Sequence, residues 1–164
     1  MVTVFILAGG NSKRMGADKA LMEGGVKHLH ALASEAGVKR IITLCGESER
    51  VALFEGEVWP DPPHTTSLHQ VLQWAFGKIE GTIQLIPCDA FQLQLTGLKK
   101  LLSSEGGVPL DEHRRRQPLL ANCPPGWQLG TSTGDISSLF SSLQDLDLGD
   151  LSGQMKNFNT PNEL

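Results

Sequence analysis

The most constraining feature of this sequence is a short apolar run that ends directly in a glycine-rich, basic segment. Residues 2–7 read Val-Thr-Val-Phe-Ile-Leu, and residues 8–19 follow as Ala-Gly-Gly-Asn-Ser-Lys-Arg-Met-Gly-Ala-Asp-Lys. Glycines let a backbone turn tightly and bring its N–H groups close to an anion, which the cations Lys13, Arg14 and Lys19 can neutralise. A buried strand followed by a loop that binds a nucleotide triphosphate is therefore predicted. A tight strand–helix connection with solvated lysines is the simpler alternative.

Two details of this segment favour the phosphate interpretation. Arg14 and Lys19 are separated by residues that include Gly16, so the chain can fold both cations around one phosphate group. The segment also follows a buried strand directly. It lacks the Gly-Lys-Ser/Thr ending of a Walker loop and the Gly-x-Gly-x-x-Gly spacing of a dinucleotide site. A phosphate loop of another type is expected.

Length and composition limit the classes of protein that the chain can belong to. Its 164 residues, 40% hydrophobic and 20% charged, predict a single globular domain over residues 1–164. The formal net charge of −4 argues against general nucleic-acid binding, and no apolar stretch is long enough to span a bilayer. The three widely spaced cysteines do not suggest a disulfide framework. We expect a cytoplasmic protein whose thiols are reduced.

Apolar runs and helical patterns alternate along the chain, which predicts a mostly parallel central sheet with helices on both faces. The predicted strands are Thr3–Leu7, Arg40–Cys45, Val58–Trp59 and Thr82–Ile86, with short ones at Val108–Leu110 and Pro118–Ala121. The predicted helices cover residues 29–36, 68–76, 95–102 and 136–143. A polar turn with Arg114, Arg115 and Arg116 joins the two short strands, and the sequence leaves the state of residues 146–151 open.

Two aspartates follow predicted strands, as the glycine-rich segment does. Asp61 comes after the third strand and Asp89 after the fourth. Ligands on parallel sheets bind beyond the carboxyl ends of the strands, so these residues are expected along one edge. Each aspartate also has a purely structural interpretation. Asp89 can cap the segment that follows it, and Asp61, which lies between prolines, can be a turn residue.

Residues 7–21 resemble the signature of molybdenum cofactor guanylyltransferases, which have a three-layer Rossmann-like nucleotidyltransferase fold. Three further segments are similar to family motifs, in the same order along the chain: residues 87–89, Pro-Cys-Asp; residues 117–119, Gln-Pro-Leu; and residues 157–164, Asn-Phe-Asn-Thr-Pro-Asn-Glu-Leu. The resemblance implies transfer of GMP from GTP to the terminal phosphate of molybdopterin, with release of pyrophosphate. Leu-Ala-Gly-Gly at residues 7–10, where cytidylyl-transferring relatives tend to have Leu-Ala-Ala-Gly, favours guanine.

The same resemblance implies roles for particular residues. Arg14 and Lys19 would hold the triphosphate and the developing pyrophosphate, and Asp89 would be the Mg²⁺ ligand, the three together forming the catalytic set. Nucleotide-binding residues would be Leu7, Ala8, Gly9, Gly10, Ser12, Arg14, Gly16, Lys19, Asp61 and Asp89. Pterin-binding residues would be Gln117, Asn157 and Asn159, although both asparagines can also be turn formers before Pro161. Arg114, Arg115 and Arg116 can reach the anionic pterin, but a solvated hairpin tip is the simpler interpretation.

The chain also departs from the family pattern. Relatives usually carry a Gly-Pro-Leu segment soon after the second aspartate, whereas residues 66–70 read Thr-Ser-Leu-His-Gln and predict a plain helix start. The region after Gly25 is short, and residues 45–47, Cys-Gly-Glu, replace an asparagine that is frequent in relatives. These departures keep other functions open: a carrier or adaptor that binds GTP or the pterin without transfer, or a nucleotidyltransferase with another phosphorylated acceptor. Transient contact with molybdenum-cofactor donor and acceptor proteins is a further hypothesis.

Overall fold

The fold is built on a parallel sheet whose strands arise from the apolar runs in the sequence. A computed structural model of the chain describes residues 1–9, 18–131 and 135–156. Its strands are β1 (Val2–Leu7), β2 (Arg40–Gly46), β3 (Glu57–Pro60), β4 (Thr82–Pro87), β5 (Val108–Pro109), β6 (Asn122–Cys123) and β7 (Asp145–Leu146). The central sheet has the order β3-β2-β1-β4-β6, in which β6 alone is antiparallel to its neighbour. β5 and β7 pair separately and in parallel.

Helices cover both faces of the central sheet, because β1 alternates its apolar side chains between two cores. The α-helices are α1 (Val26–Glu35), α2 (Leu68–Phe76), α3 (Leu95–Leu102) and α4 (Ile136–Leu139). Val4 and Ile6 pack with α1 and α3 on one face. Phe5 and Leu7 pack with α2 and α4 on the other. The expected three-layer α/β architecture with a mostly parallel central sheet is confirmed.

Local signals in the sequence account for the helix starts. Ser67 precedes α2, and its hydroxyl accepts a hydrogen bond from the backbone N–H of Gln70 at 3.3 Å. This cap satisfies one of the amide groups that a helix N-terminus leaves unpaired. Residues 66–70 thus form a regular helix start, as their sequence predicts. Asp135 caps α4 in the same way, by accepting from the N–H of Ser138 at 2.9 Å.

The second half of the chain corrects some of the predicted elements. Residues Pro118–Leu120 form a 3₁₀ turn, so the predicted strand at Pro118–Ala121 is wrong, and β6 begins only at Asn122, directly after the predicted strand. Proline lacks the N–H that a strand would use and suits the first position of a helical turn. The helix predicted over residues 136–143 ends at Leu139. Residues 146–151, whose state the sequence left open, contain the last residue of β7 and the start of a 3₁₀ helix over Gly149–Met155.

Within the described ranges, every helix is too short or too polar to cross a membrane.

Candidate functional site

The carboxyl ends of β1, β2 and β4 meet at one edge of the sheet. Beyond the strand register, the N–H of Ala8 donates to the carbonyl of Leu44 at 2.8 Å, and the N–H of Cys88 donates to the carbonyl of Leu7 at 3.0 Å. Through these hydrogen bonds, the parallel pairing of β1 with β2 and with β4 continues just beyond the ends of the strands. Gly9 and Asp89 therefore leave the sheet at the same edge, as the sequence predicts.

Gly9 lies against the end of β2 at a distance that excludes a side chain. A Cβ atom on this residue would lie 2.9 Å from both Cα and N of Gly46. Both atoms belong to backbone, which cannot rotate away as a side chain can. Gly46 has a φ of 83°, a left-handed conformation that favours glycine. The two glycines together let the chain turn out of adjacent strands at almost the same point.

Lys19 and Asp89, which lie 70 residues apart in sequence, are in contact at this edge. The ammonium Nζ of Lys19 lies 3.4 Å from Oδ2 of Asp89, and each side chain is only 12% exposed. Lys19 begins a 3₁₀ turn that ends at Leu21, and Asp18 caps that turn by accepting from the N–H of Ala20 at 3.1 Å. The structure thus brings together two of the three predicted catalytic residues. Ion pairing with Lys19 gives Asp89 a role beyond that of a local cap.

Asp61 lies at the same edge but on the far side of β2. Its N–H donates to the carbonyl of Gly46 at 2.7 Å, and its side chain is exposed. Although Asp61 is exposed to solvent, nearby protein atoms desolvate part of its carboxyl and raise its pKa above the ordinary value, and the negative charge of Glu47 adds to that increase. Asp89 follows β4, which is next to β1, whereas Asp61 follows β3, which β2 separates from β1. The two aspartates therefore lie on opposite sides of the end of β1, with Asp61 one strand further away.

Gln117 belongs to a loop that is organised by Asp111. Because β6 runs antiparallel to β4, the residues that precede β6 lie toward the carboxyl end of β4. There the N–H of Leu85 donates to the carbonyl of Ala121. The Nε2 of Gln117 donates to Oδ2 of Asp111 at 2.9 Å. The carboxylate of Asp111 also accepts from the N–H groups of His113 and Arg115, at 2.8 and 2.9 Å.

The predicted hairpin tip is therefore a structured turn in which the arginines have acidic or carbonyl partners. Arg114 pairs with Asp147, and Arg115 pairs with Asp111. Arg116 pairs with Asp145 and donates to the carbonyl of Phe140 at 2.8 Å. Sequence reasoning missed Asp111, because an aspartate within a polar turn carries no signal that distinguishes a buried carboxylate from a solvated one.

Arg50 is a second residue that sequence reasoning missed. Its guanidinium donates to the carbonyls of Ala8 and Cys45, each at 2.8 Å, and forms an ion pair with Asp18. The hydrogen bond to Asp18 raises the pKa of Arg50 above the ordinary arginine value. Arg50 lies in a 3₁₀ helix over Ser48–Leu53, and no periodic or motif signal marks it. It joins the ends of β1 and β2 to the residue that precedes Lys19.

Cys88 lies beside Asp89 without the properties of a nucleophile. Burial, together with the negative charge of Asp89, raises the pKa of its thiol to about 12. The thiol is therefore protonated at neutral pH, and the thiolate is the form of cysteine that attacks. Cys88 is therefore a small, partly buried residue that packs against the core.

Several predicted site residues lie outside the described part of the chain. They are Gly10, Ser12, Arg14 and Gly16 in the glycine-rich segment and Asn157 and Asn159 near the C-terminus. Among the residues that are described, no group of three or more His, Cys, Asp or Glu side chains is arranged to hold a metal ion. A single shielded carboxylate such as Asp89 suits Mg²⁺, which commonly takes one or two carboxylates and completes its shell with phosphate oxygens and water.

A comparison with known protein families identifies the family of this chain. Residues 4–145 match the model of the MobA-like NTP transferase domain. The chain belongs to the MobA-like NTP transferase family. Its glycine-rich segment, Lys19 and Asp89 all fall inside the matched range. A comparison with curated protein sequences gave no significant match.

Solved structures share the fold of this MobA-like domain at low sequence identity. A nucleotidyl transferase from Methanothermobacter thermautotrophicus is 15% identical, with a TM-score of 0.67, and the match covers 99% of this chain and 94% of the other. Bifunctional IspDF from Campylobacter jejuni is 11% identical, with a TM-score of 0.64, and the match covers 99% of this chain but 53% of IspDF. Rv0371c from Mycobacterium tuberculosis, solved in complex with manganese, is 15% identical with a TM-score of 0.53, over 90% and 87% of the two chains.

Proposed function

We propose that this MobA-like domain transfers GMP from GTP to the terminal phosphate of molybdopterin, forming the guanine dinucleotide cofactor and pyrophosphate. The observation that carries the proposal is the contact between Lys19 and Asp89 at the sheet edge. A triphosphate needs positive charge along its tail and a divalent ion near the reacting phosphorus. A cation and a carboxylate 3.4 Å apart can serve both needs of one bound polyphosphate.

The reaction is a displacement at the α-phosphorus of GTP. An oxygen of the acceptor phosphate forms a bond to that phosphorus, and the bond from phosphorus to the bridging oxygen of the β-phosphate breaks. The electron pair of the broken bond leaves with pyrophosphate. Lys19 offsets the charge that grows on this leaving group, and Arg14 is proposed to act with it.

Asp89 is the residue proposed to hold the divalent ion, which we take to be Mg²⁺. Bound there, the ion would offset phosphate charge and orient the triphosphate for in-line attack. The manganese complex of Rv0371c supports divalent metal use among proteins of this fold. The proposed nucleotide contacts are made by Leu7, Ala8, Gly9 and Asp61 around the ends of β1 and β3. Gln117 is proposed to contact the pterin from the loop that Asp111 organises.

A second candidate function is supported by the regular start of α2. Relatives carry a Gly-Pro-Leu segment where this chain has a helix capped by Ser67, so the backbone there is already hydrogen-bonded in the protein alone. A protein that binds GTP or the pterin cofactor but transfers no GMP would tolerate this change more easily than an enzyme. The family match does not distinguish acceptors, so a different phosphorylated acceptor is a third candidate.

Pyrophosphate release separates these candidates. The purified protein is incubated with GTP, CTP or ATP, with and without Mg²⁺ and with and without molybdopterin. The proposal predicts release only when GTP, Mg²⁺ and molybdopterin are all present. Binding of GTP without release would refute the proposal and support the carrier or an enzyme with another acceptor, and release that depends on CTP or ATP would refute guanylyl specificity.

A further inference from the structure

Arg50 bonds to both residues that flank residues 9–17 in the sequence. On one side its Nη2 donates to the carbonyl of Ala8 at 2.8 Å, at the end of β1. On the other side its guanidinium pairs with Asp18, directly before Lys19. Its Nε donates to the carbonyl of Cys45 at 2.8 Å. One side chain therefore ties together the end of β1, the end of β2 and the residue preceding the predicted phosphate-binding lysine.

The contact with Asp18 continues through the backbone toward Lys19. Oδ1 of Asp18 accepts from the N–H of Ala20 at 3.1 Å, which sets the first turn of the 3₁₀ helix over Lys19–Leu21. Lys19 in turn reaches Asp89 at 3.4 Å. The carboxylate of Asp18 is thus shared between Arg50 and the first turn of the 3₁₀ helix that begins with Lys19.

We propose that Arg50 is a positioning residue for nucleotidyl transfer, which holds Asp18 against the strand ends so that Lys19 faces Asp89 before the nucleotide binds. The inference rests on the proposed function, and it adds a residue that lies outside the glycine-rich segment. Arg50 is suited to this role because a guanidinium offers donors in a rigid fork, and here they reach two carbonyls and one carboxylate. The side chains of Arg50 and Asp18 are 19% and 23% exposed, so water screens the pair only in part.

A double-mutant cycle on GTP affinity tests whether Arg50 acts through Asp18. The variants are Arg50→Met, Asp18→Asn and the double variant, and the Kd for GTP with Mg²⁺ is measured by calorimetry. Each single change is expected to raise the Kd about tenfold, the value of one charge-assisted hydrogen bond. The double variant is expected to bind no more weakly than the weaker single variant, because the two side chains act as one unit.

Two results of this cycle would overturn the proposal. An Arg50→Met protein that binds GTP as well as the parent does would show that Arg50 has no positioning role. Effects that multiply in the double variant would show that Arg50 acts on the nucleotide independently of Asp18. If Arg50→Met fails to fold, Arg50→Lys takes its place in the cycle. A single ammonium cannot reach all three acceptors, so the lysine variant is also expected to bind weakly, and full affinity in that variant would contradict the fork geometry.

A measurement without nucleotide separates this proposal from the proposed function. The N–H of Ala20 is bonded to Asp18, so its hydrogen exchange, followed by NMR, is expected to become about tenfold faster in Arg50→Met as the bond to Asp18 weakens. Exchange of the Phe5 amide in β1 should not change. Unchanged exchange at Ala20 would overturn the positioning role, whereas a parent protein that binds no triphosphate would overturn the proposed function.

Arg40→Met is the matched control for these experiments. Arg40 also forms a two-pronged ion pair, with Glu57, through Nε at 3.2 Å and Nη2 at 3.0 Å. It stands at the start of β2, at the end of the sheet opposite the proposed site. Parental GTP affinity and parental exchange at Ala20 are expected in this variant. A similar loss of affinity in Arg40→Met would mean that removing any arginine pair weakens binding, which would refute the assignment to Arg50.

Discussion

Two shielded carboxylates, Asp89 and Asp111, are held in place by different kinds of partner. Both residues are buried, with 8% and 3% of their surface exposed. Asp89 meets the ammonium of Lys19, which reaches it from 70 residues away. Asp111 accepts hydrogen bonds from residues within six positions of its own, including the backbone N–H groups of His113 and Arg115.

The difference shows that burial of a carboxylate does not by itself identify a reactive group. Burial alone would raise the pKa of Asp111. The N–H groups of Arg115 and His113, the amide of Gln117 and the charge of Arg115 outweigh it and hold the pKa below the usual aspartate range. These partners belong to the loop itself, so Asp111 serves to close that loop. Asp89 instead meets the side chain of a distant residue at the carboxyl edge of the sheet, where we propose that a phosphate and a divalent ion bind.

The largest expected effect is the loss of turnover in Asp89→Asn. Asparagine keeps the shape of the side chain but removes the charge that is proposed to hold the divalent ion. Metal stabilisation of a phosphoryl transition state is worth several kcal/mol, so the rate of pyrophosphate release should fall about 10³-fold. Asp150→Asn, at an exposed position, is the control and should keep the parental rate. If Asp89→Asn kept the parental rate, Asp89 would have only a structural role, as Asp111 does, and the contrast between the two carboxylates would be lost.

Next in size is the loss of triphosphate affinity in Lys19→Ala. The ammonium is proposed to meet the triphosphate directly, and a charge-assisted contact of about 2 kcal/mol corresponds to a roughly 30-fold rise in Kd for GTP. Lys27→Ala changes an exposed lysine in the nearby helix α1 and should bind GTP as the parent does. If Lys19→Ala binds GTP normally, the phosphate-loop assignment is wrong.

Asp111→Asn is expected to change stability and its pH dependence. At pH 7 the variant loses a charged acceptor for several N–H groups, which should lower the free energy of unfolding by about 2 kcal/mol. The folded pKa of Asp111 is lowered, so its carboxylate stabilises the parent fully above the unfolded value of about 3.9, and this contribution disappears as the pH falls toward the folded pKa.

Urea unfolding of the parent and Asp111→Asn between pH 7 and pH 3 measures this effect. The difference between the two proteins should be greatest at pH 7 and should shrink below about pH 4. A difference that stays constant over this range would show that the charge of Asp111 does not stabilise the loop. Lower GTP affinity at unchanged stability would place Asp111 in the nucleotide site and break the comparison with Asp89.

The smallest effect is expected for Arg114→Ala. Arg114 is 71% exposed, and its partner Asp147 is 63% exposed, so water screens their ion pair. Urea unfolding and the KM for molybdopterin should both match the parent within error. A raised KM at unchanged stability would contradict this expectation and show that Arg114 contacts the acceptor.

Strands and helices whose formation depends on residues close together in the sequence could be predicted. β1, β2 and β4 follow from continuous apolar runs, and α2 follows from helical spacing together with the capping residue Ser67, which bonds three residues ahead. The edge position of Asp89 and Asp61 follows from the parallel order of the strands, because all carboxyl ends then face one way. The 3₁₀ turn at Pro118 was missed because apolar residues in a short run suit a strand and a buried turn equally well.

The sequence by itself determined the layered α/β architecture, and it predicted the sheet edge and the two residues, Lys19 and Asp89, at which we propose the site. Tertiary structure alone decided which side chains support them. Arg50 finds Asp18 across 32 residues and Ala8 across 42, and no periodicity or motif links positions so far apart. Apolar burial and helix capping depend on near neighbours and leave a pattern in the sequence, whereas a charged side chain finds its partner only after the strands have brought distant segments together.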